Sequence, residues 1–129
     1  MVTGQESLSR QLADWCAGLT VEVIPATVRK LIPLRVMDSV GLILVGAGTK
    51  AGSVSRAYVL DQGGAGRSTL VHCGVKVPPA MAALVHGTCA HCRDFDDTFM
   101  DSVVHPGSVV IATGLALAEA HDASTDDFI

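Results

Sequence analysis

Pro106-Gly107-Ser108-Val109-Val110-Ile111-Ala112-Thr113-Gly114-Leu115-Ala116-Leu117-Ala118-Glu119-Ala120-His121 is the stretch whose reading decides the fold. Proline is pre-organised for the first turn of a helix, so His105-Pro106-Gly107 with Ser108 announces one, predicted from Val109 to about His121. Residues 109 to 118 are apolar nearly all round, which places such a helix in the centre of something larger. The run falls well short of the roughly 20 residues that span a bilayer, as does the other long apolar run, residues 40 to 48. Both are expected to be buried helix.

Working outward, Pro78-Pro79 opens a second helix of small residues from Ala80 to about Arg93, and Ala and Gly let such helices approach closely. Further upstream, Ser53 caps a helix expected to end near Gln62, followed by the flexible Gly63-Gly64-Ala65-Gly66. Those glycines lack the spacing of a phosphate-binding loop and follow no strand. Pro25 begins a helix that carries Val28, Leu31, Ile32, Val36, Val40, Ile43 and Leu44 inward and ends at Gly46-Ala47-Gly48. Pro33 lies inside it, and the missing donor predicts a kink or two helices. Leu8, Leu12, Trp15, Cys16 and Leu19 recur at helical spacing over residues 5 to 17, a packing helix closed by Gly18. Thr69-Leu70-Val71 and Val75-Lys76-Val77 are the strand-like part, expected to pair as one short hairpin. Ser124-Thr125-Asp126-Asp127 resembles a capping box leading into Phe128-Ile129, so a further helix is announced at the end of the sequence. The fold class is therefore all-α, with at most one short β-hairpin near residues 69–77.

Composition agrees. The 129 residues match the size of one domain, 1–129, and 49% hydrophobic against 17% charged excludes a disordered chain. With five aromatic residues the core must be built from Ala, Val, Leu and Ile. A net charge of −4 without a basic stripe argues against nucleic acid. The first residues show neither a cationic start nor an apolar signal region, so a cytoplasmic location and no membrane partner are expected. Cys16, Cys73, Cys89 and Cys92 are then expected as reduced thiols.

Titratable groups concentrate in His91-Cys92-Arg93-Asp94-Phe95-Asp96-Asp97-Thr98, followed by Asp101 and His105. Crowded carboxylates raise one another's pKa and a neighbouring histidine exchanges protons near neutral pH, so the cluster suits general acid–base work. A solvated acidic loop capping two helices explains the same residues. Asp96-Asp97 with Asp101 approaches the acidic motif of helical prenyl-diphosphate enzymes, but the larger bundle and second metal motif are missing. An EF-hand fails for want of its central glycine and closing glutamate. Zinc through Cys73, Cys89, His91 and Cys92 lacks a second matching pair, and a redox Cys89-x-x-Cys92 lacks its βαβ context.

Leu12-Ala-Asp-Trp15 with Gly18-Leu-Thr20, Ile24-Pro25, Met37-Asp38-Ser-Val-Gly41, Ala82-Ala-Leu-Val-His-Gly87, His91-x-x-Asp94-Phe-Asp-Asp-Thr98, His105-Pro-Gly107 and Leu115-Ala-Leu-Ala-Glu119 together resemble the N-terminal part of the MmgE/PrpD family. That family includes 2-methylcitrate dehydratases, cis-aconitate decarboxylases and iminodisuccinate epimerases. The resemblance implies the N-terminal segment of a large helical domain, from a protein several times longer with a smaller α/β lid domain. It implies a small di- or tricarboxylate as substrate, no metal, no cofactor, and a homodimer in the full-length form. It puts His105 forward as the proton-transfer or substrate-binding group, Asp94 as the carboxylate orienting a neighbour, and Thr98 as a hydrogen-bond donor to substrate, with His91 close behind. Two departures stand out: Pro33 falls where the family continues a helix, and Phe99-Met100 stands where a polar residue commonly follows the threonine.

A polycarboxylate needs several cations to offset its desolvation, yet Arg93 is the one permanent cation between residues 80 and 120. The sequence is accordingly expected to be the N-terminal fragment of a 2-methylcitrate dehydratase-like lyase, inactive by itself. The reading from another class is a non-catalytic helical module, or a split subunit, that docks on a partner chain.

Overall fold

The structure is a computed structural model that describes residues 6–128. Six helices and one minimal hairpin follow in the order α1 (Leu8–Ala17), α2 (Ala26–Ala47), α3 (Lys50–Gln62), β1 (Ser68–Thr69), β2 (Lys76–Val77), α4 (Pro79–His91), α5 (Pro106–Ala120) and α6 (Thr125–Phe128). The all-α expectation with a short hairpin holds. The expected helix start at residue 5 and the closing Ile129 lie outside the described residues, as does the N-terminal segment read for a signal.

α4 is the hub, packed most extensively against α5 and then against α2 and α3. Its buried face carries Ala82, Val85, His86, Cys89 and Ala90, and α5 answers with Gly107, Ser108, Ala112, Ala116 and Ala120. Small side chains at i, i+4 spacing let the two helix axes come close, which is why this core needs few large residues. The remaining core is Ile43 of α2, Val59 of α3, and Leu70 and Val77 of the hairpin. α2 meets α4 at Gly46, where an added Cβ would overlap the backbone carbonyl of Cys89. Only glycine allows that approach.

Several local expectations are corrected. Pro33 does not divide α2, which runs as one helix from Ala26 to Ala47. The carbonyl that loses its partner is that of Arg29, and both residues are exposed, so that carbonyl is not left without a partner in a buried site. The inward stripe of α2 is Ile32, Val36, Ser39, Ile43 and Gly46, whereas Val28, Leu31 and Leu44 face outward. α3 starts one turn earlier than expected, capped by Thr49, whose Oγ1 accepts from the Gly52 amide at 3.1 Å. The hairpin pairs Ser68 with Val77 and Thr69 with Lys76, and the Leu70 amide donates to the Val75 carbonyl at 2.8 Å. At the chain's end the capping box forms: the amide of Asp127 donates to Ser124 Oγ and the amide of Ser124 to Asp127 Oδ2, each at 3.2 Å.

The largest correction concerns α1. It is a well-formed amphipathic helix, capped by Ser7 and ended at Gly18, but none of its residues is buried. Leu8 is 83% exposed and Trp15 62%. α5 shows a milder version, with Val109, Val110 and Leu117 exposed opposite its buried alanines. Among the described residues no single helix is long and apolar enough to cross a membrane; α2 and α3 reach that composition only as a pair bent by 86°.

Candidate active site

The last turn of α4 and the first turn of α5 stand side by side, and residues 92–105 connect them. α4 delivers His91 at its final position. The connection then reverses: Asp94 adopts a left-handed conformation with φ 56°, which aspartate tolerates. Phe99 and Val104 close the return as an antiparallel bridge, the Phe99 amide donating to the Val104 carbonyl at 2.8 Å. Val103, inside that bridge, has φ 52°, an unfavourable conformation for a β-branched residue. The closed loop returns the chain so that His105 becomes the residue before α5 and lies against His91, ring centroids 4.9 Å apart.

Two neighbouring carboxylates hold this arrangement. Asp97 Oδ1 accepts from the Gly107 amide at 2.8 Å, satisfying an orphan donor in the first turn of α5 with a negative charge where the helix dipole favours one. Asp96 turns inward, its side chain 2% exposed, and meets both histidines. His91 Nδ1 lies 3.1 Å from each of its carboxylate oxygens. His105 Nδ1 lies 3.4 Å from Asp96 Oδ1 and 3.3 Å from the Asp96 backbone carbonyl. Burial by itself would raise the Asp96 pKa, but hydrogen bonds from Ser108, His91 and its own backbone outweigh that and hold the carboxyl below its usual range.

The remaining sequence-stated residues surround this centre. Thr98 Oγ1 lies 3.4 Å from His105 Nδ1 and donates to the Asp96 carbonyl at 3.4 Å. Asp94 Oδ1 is 3.6 Å from His105 Nε2, and its side chain is open to solvent. The structure thus brings His91, Asp94, Thr98 and His105 together around Asp96. That buried carboxylate was one charge in an acidic run at the level of sequence, and nothing local marks its inward direction. Asp97 helps to fix α5, and Asp101 is exposed, so the diphosphate-type acidic motif is not assembled.

His91, Asp94, Asp96 and His105 also offer a metal-ligand set, one atom from each lying within 4.8 Å of the others. The cysteine set does not form: Cys73 is exposed, Cys89 is buried with its thiol pushed up to about 11 by burial, and Cys92 bonds toward Thr49 and Gly46. A groove of about 450 Å³ between α4 and α5, lined by Leu84, Gly87, Thr88 and Thr113, reaches His91. A cavity of about 490 Å³ lies at the far end of α5, beside His86 and Glu119. Its carboxylate is already engaged: Glu119 accepts from the amide and hydroxyl of Thr69 and pairs with Lys76 at 3.5 Å. The acid–base candidates are therefore those at the α4–α5 entrance.

Comparison with known proteins covers most of the chain. A family model described as the MmgE/PrpD N-terminal domain matches residues 10–129. The chain is 29% identical over 121 residues to a cis-aconitate decarboxylase of Mus musculus, an overlap of 89% of this chain and 24% of that protein. It is 28% identical over 116 residues to a cis-aconitate decarboxylase of Homo sapiens, with the same coverage of 89% and 24%. The chain spans about a quarter of the length of these curated relatives. No solved structure matches it.

Proposed function

The chain belongs to the MmgE/PrpD family, and from that premise we propose that it carries part of the active site of a lyase that moves a proton at a carbon beside a carboxylate of a small di- or tricarboxylate. The observation that carries this reading is the gathering of two histidines, a buried carboxylate, a solvent-facing carboxylate and a hydroxyl at one helix–helix entrance. In it, His105 exchanges the proton with substrate, Asp94 offsets the charge that His105 acquires, Thr98 donates a hydrogen bond to substrate, and His91 stands beside them.

Two reactions suit that constellation. In dehydration of 2-methylcitrate, the C–H electron pair becomes the new double bond, the proton goes to the histidine, and hydroxide leaves with a proton from a second acid. In decarboxylation of cis-aconitate, the C–C electron pair stays on carbon as carbon dioxide departs, and a histidinium supplies the proton. Neither needs a metal or cofactor in this reading, although the His/Asp set at the entrance has metal-binding chemistry. The substrate's charges need cations that the segment does not supply, since Arg93 is exposed and alone between residues 80 and 120. We therefore assign the cationic clamp to the parts of the enzyme beyond this segment, with assembly as a homodimer in the cytoplasm.

The test is an assay of the native gene product, purified from its source cells, against 2-methylcitrate and cis-aconitate with product detection by NMR. Turnover of one acid is expected, insensitive to chelator, and reduced at least about 100-fold by His105→Ala. Chelator-abolished turnover, or turnover by the 129-residue chain alone, would contradict the reading. A second reading, a helical module docked on a partner chain, is favoured by the uncovered apolar stripe of α1. It predicts a native product of the chain's own mass and catalysis only on adding the partner.

A further inference from the structure

We propose that Asp96 is the positioning residue of this site: its buried carboxylate, helped at His105 by its backbone carbonyl, holds His91 and His105 each with the hydrogen on Nδ1, leaving Nε2 of both rings unprotonated. The inference rests on the proton-transfer reading for its meaning but on geometry for its content.

An ionised carboxylate only accepts hydrogen bonds, so a ring nitrogen facing one must carry the hydrogen. His91 Nδ1 faces both oxygens of Asp96 at 3.1 Å. His105 Nδ1 faces three oxygens: Asp96 Oδ1 at 3.4 Å, the Asp96 carbonyl at 3.3 Å and Thr98 Oγ1 at 3.4 Å. The first two are acceptors only, whereas the Thr98 hydroxyl can turn to donate or accept. A hydrogen on Nε2 instead would aim the Nδ1 lone pair at both Asp96 oxygens. The imidazole atom left free on His105 is then Nε2, 3.6 Å from Asp94 Oδ1, too far for a hydrogen bond in the neutral ring. Once Nε2 takes a proton, Asp94 is the nearby opposite charge.

Asp96 is turned away from solvent and toward the two rings. Its side chain is 2% exposed, and its ion-pair partners among the described residues are the two histidines. One carboxylate shared by two rings, with centroids 4.9 Å apart, sets two potential proton carriers in fixed relative orientation. Each ring then presents Nε2 as a proton acceptor.

The experiment is long-range ¹H–¹⁵N NMR of the histidine rings in the intact chain with chelator present, at about pH 8 where free imidazole is neutral. Both rings are expected as the Nδ1–H form, preferred at least about tenfold because the acceptor is charged. Asp96→Asn, which keeps the shape but offers both donor and acceptor, is expected to reduce that preference most in His91 and less in His105, whose Nδ1 keeps the residue-96 carbonyl, while Thr98→Ala leaves it in place. A wild-type His105 bearing its hydrogen on Nε2 overturns the proposal without any variant, so a misfolded Asp96→Asn cannot shelter it. Unchanged tautomers in a folded Asp96→Asn also overturn it. If the native product proves inactive on carboxylates while both rings are Nδ1–H, the functional reading fails and the positioning role stands.

Discussion

His86 shows how one buried side chain sets a pH response. Its Nε2 accepts from the Val71 amide at 3.2 Å, tying hairpin to α4, while Nδ1 has no protein partner. Burial, then the neighbouring His72, lowers its pKa below the ordinary 6.5, against weaker opposing effects of Glu119 and Thr69. His72 is lowered too, by burial and Arg56. The unfolded chain therefore binds protons on these residues before the folded chain does, so their contribution to stability is full above about pH 6.5 and is lost as pH falls below it. Asp96 acts lower: its depressed pKa contributes stability above the ordinary carboxylate value of 3.8 that disappears as pH falls through the folded value. Urea midpoints measured against pH are expected to fall in two separate ranges. His86→Gln should flatten the upper one and leave the lower; an upper step unchanged by that substitution would remove His86 from the account.

At the scale of one helix, α2 contains two glycines with opposite expected behaviour. Gly41 has open space around it, and helical glycine costs conformational entropy, so Gly41→Ala is expected to stabilise by about 0.5–1 kcal/mol. Gly46 sits against the Cys89 backbone, which cannot rotate aside. Gly46→Ala is expected to cost at least the ~1–3 kcal/mol usual for overpacking, by forcing α2 away from α4. Thermal or urea unfolding of the two variants reads both signs. Nothing in residues 40 to 48 taken alone separates these glycines; each reads as a helix interior or break. Ile43 was legible as a core residue from its spacing, whereas Leu44 of the same apolar run and Val28 nearer the start of α2 face outward. An apolar run wide enough to offer two faces does not say which one its neighbour covers.

For the whole molecule, stability is concentrated in α4, α5 and the parts of α2, α3 and the hairpin around them. α1 contributes no buried residue. Native-state hydrogen exchange is expected to find the strongest protection in α4 and α5 and almost none in α1, since an isolated helix of ten residues is marginal in water. Protection of α1 equal to that of α4 would show that its apolar stripe is covered in solution. The segment also carries its acid–base groups at an edge, the α4–α5 entrance, where Arg93 is the one Lys or Arg between residues 80 and 120. Both features fit a segment a quarter the length of its curated relatives.

Features that depend on residues within a turn or two of one another are legible in the amino-acid sequence. The helices follow from Pro at their first turns, Ser and Thr caps, Gly ends and 3.6-residue periodicity, and the hairpin from two β-branched runs around His72-Cys73-Gly74. The family resemblance rests on ordered short motifs, and it named His91, Asp94, Thr98 and His105 before any distance was known. Only the tertiary structure decided that Asp96 turns inward to serve both histidines, that α3 starts at Lys50, that Pro33 leaves α2 whole and that α1 lies uncovered. The physical reason is range: caps and periodicity are local interactions along the chain. The direction of Asp96 is instead set by the helix ends that flank it, and the fate of each apolar face by whatever packs against it.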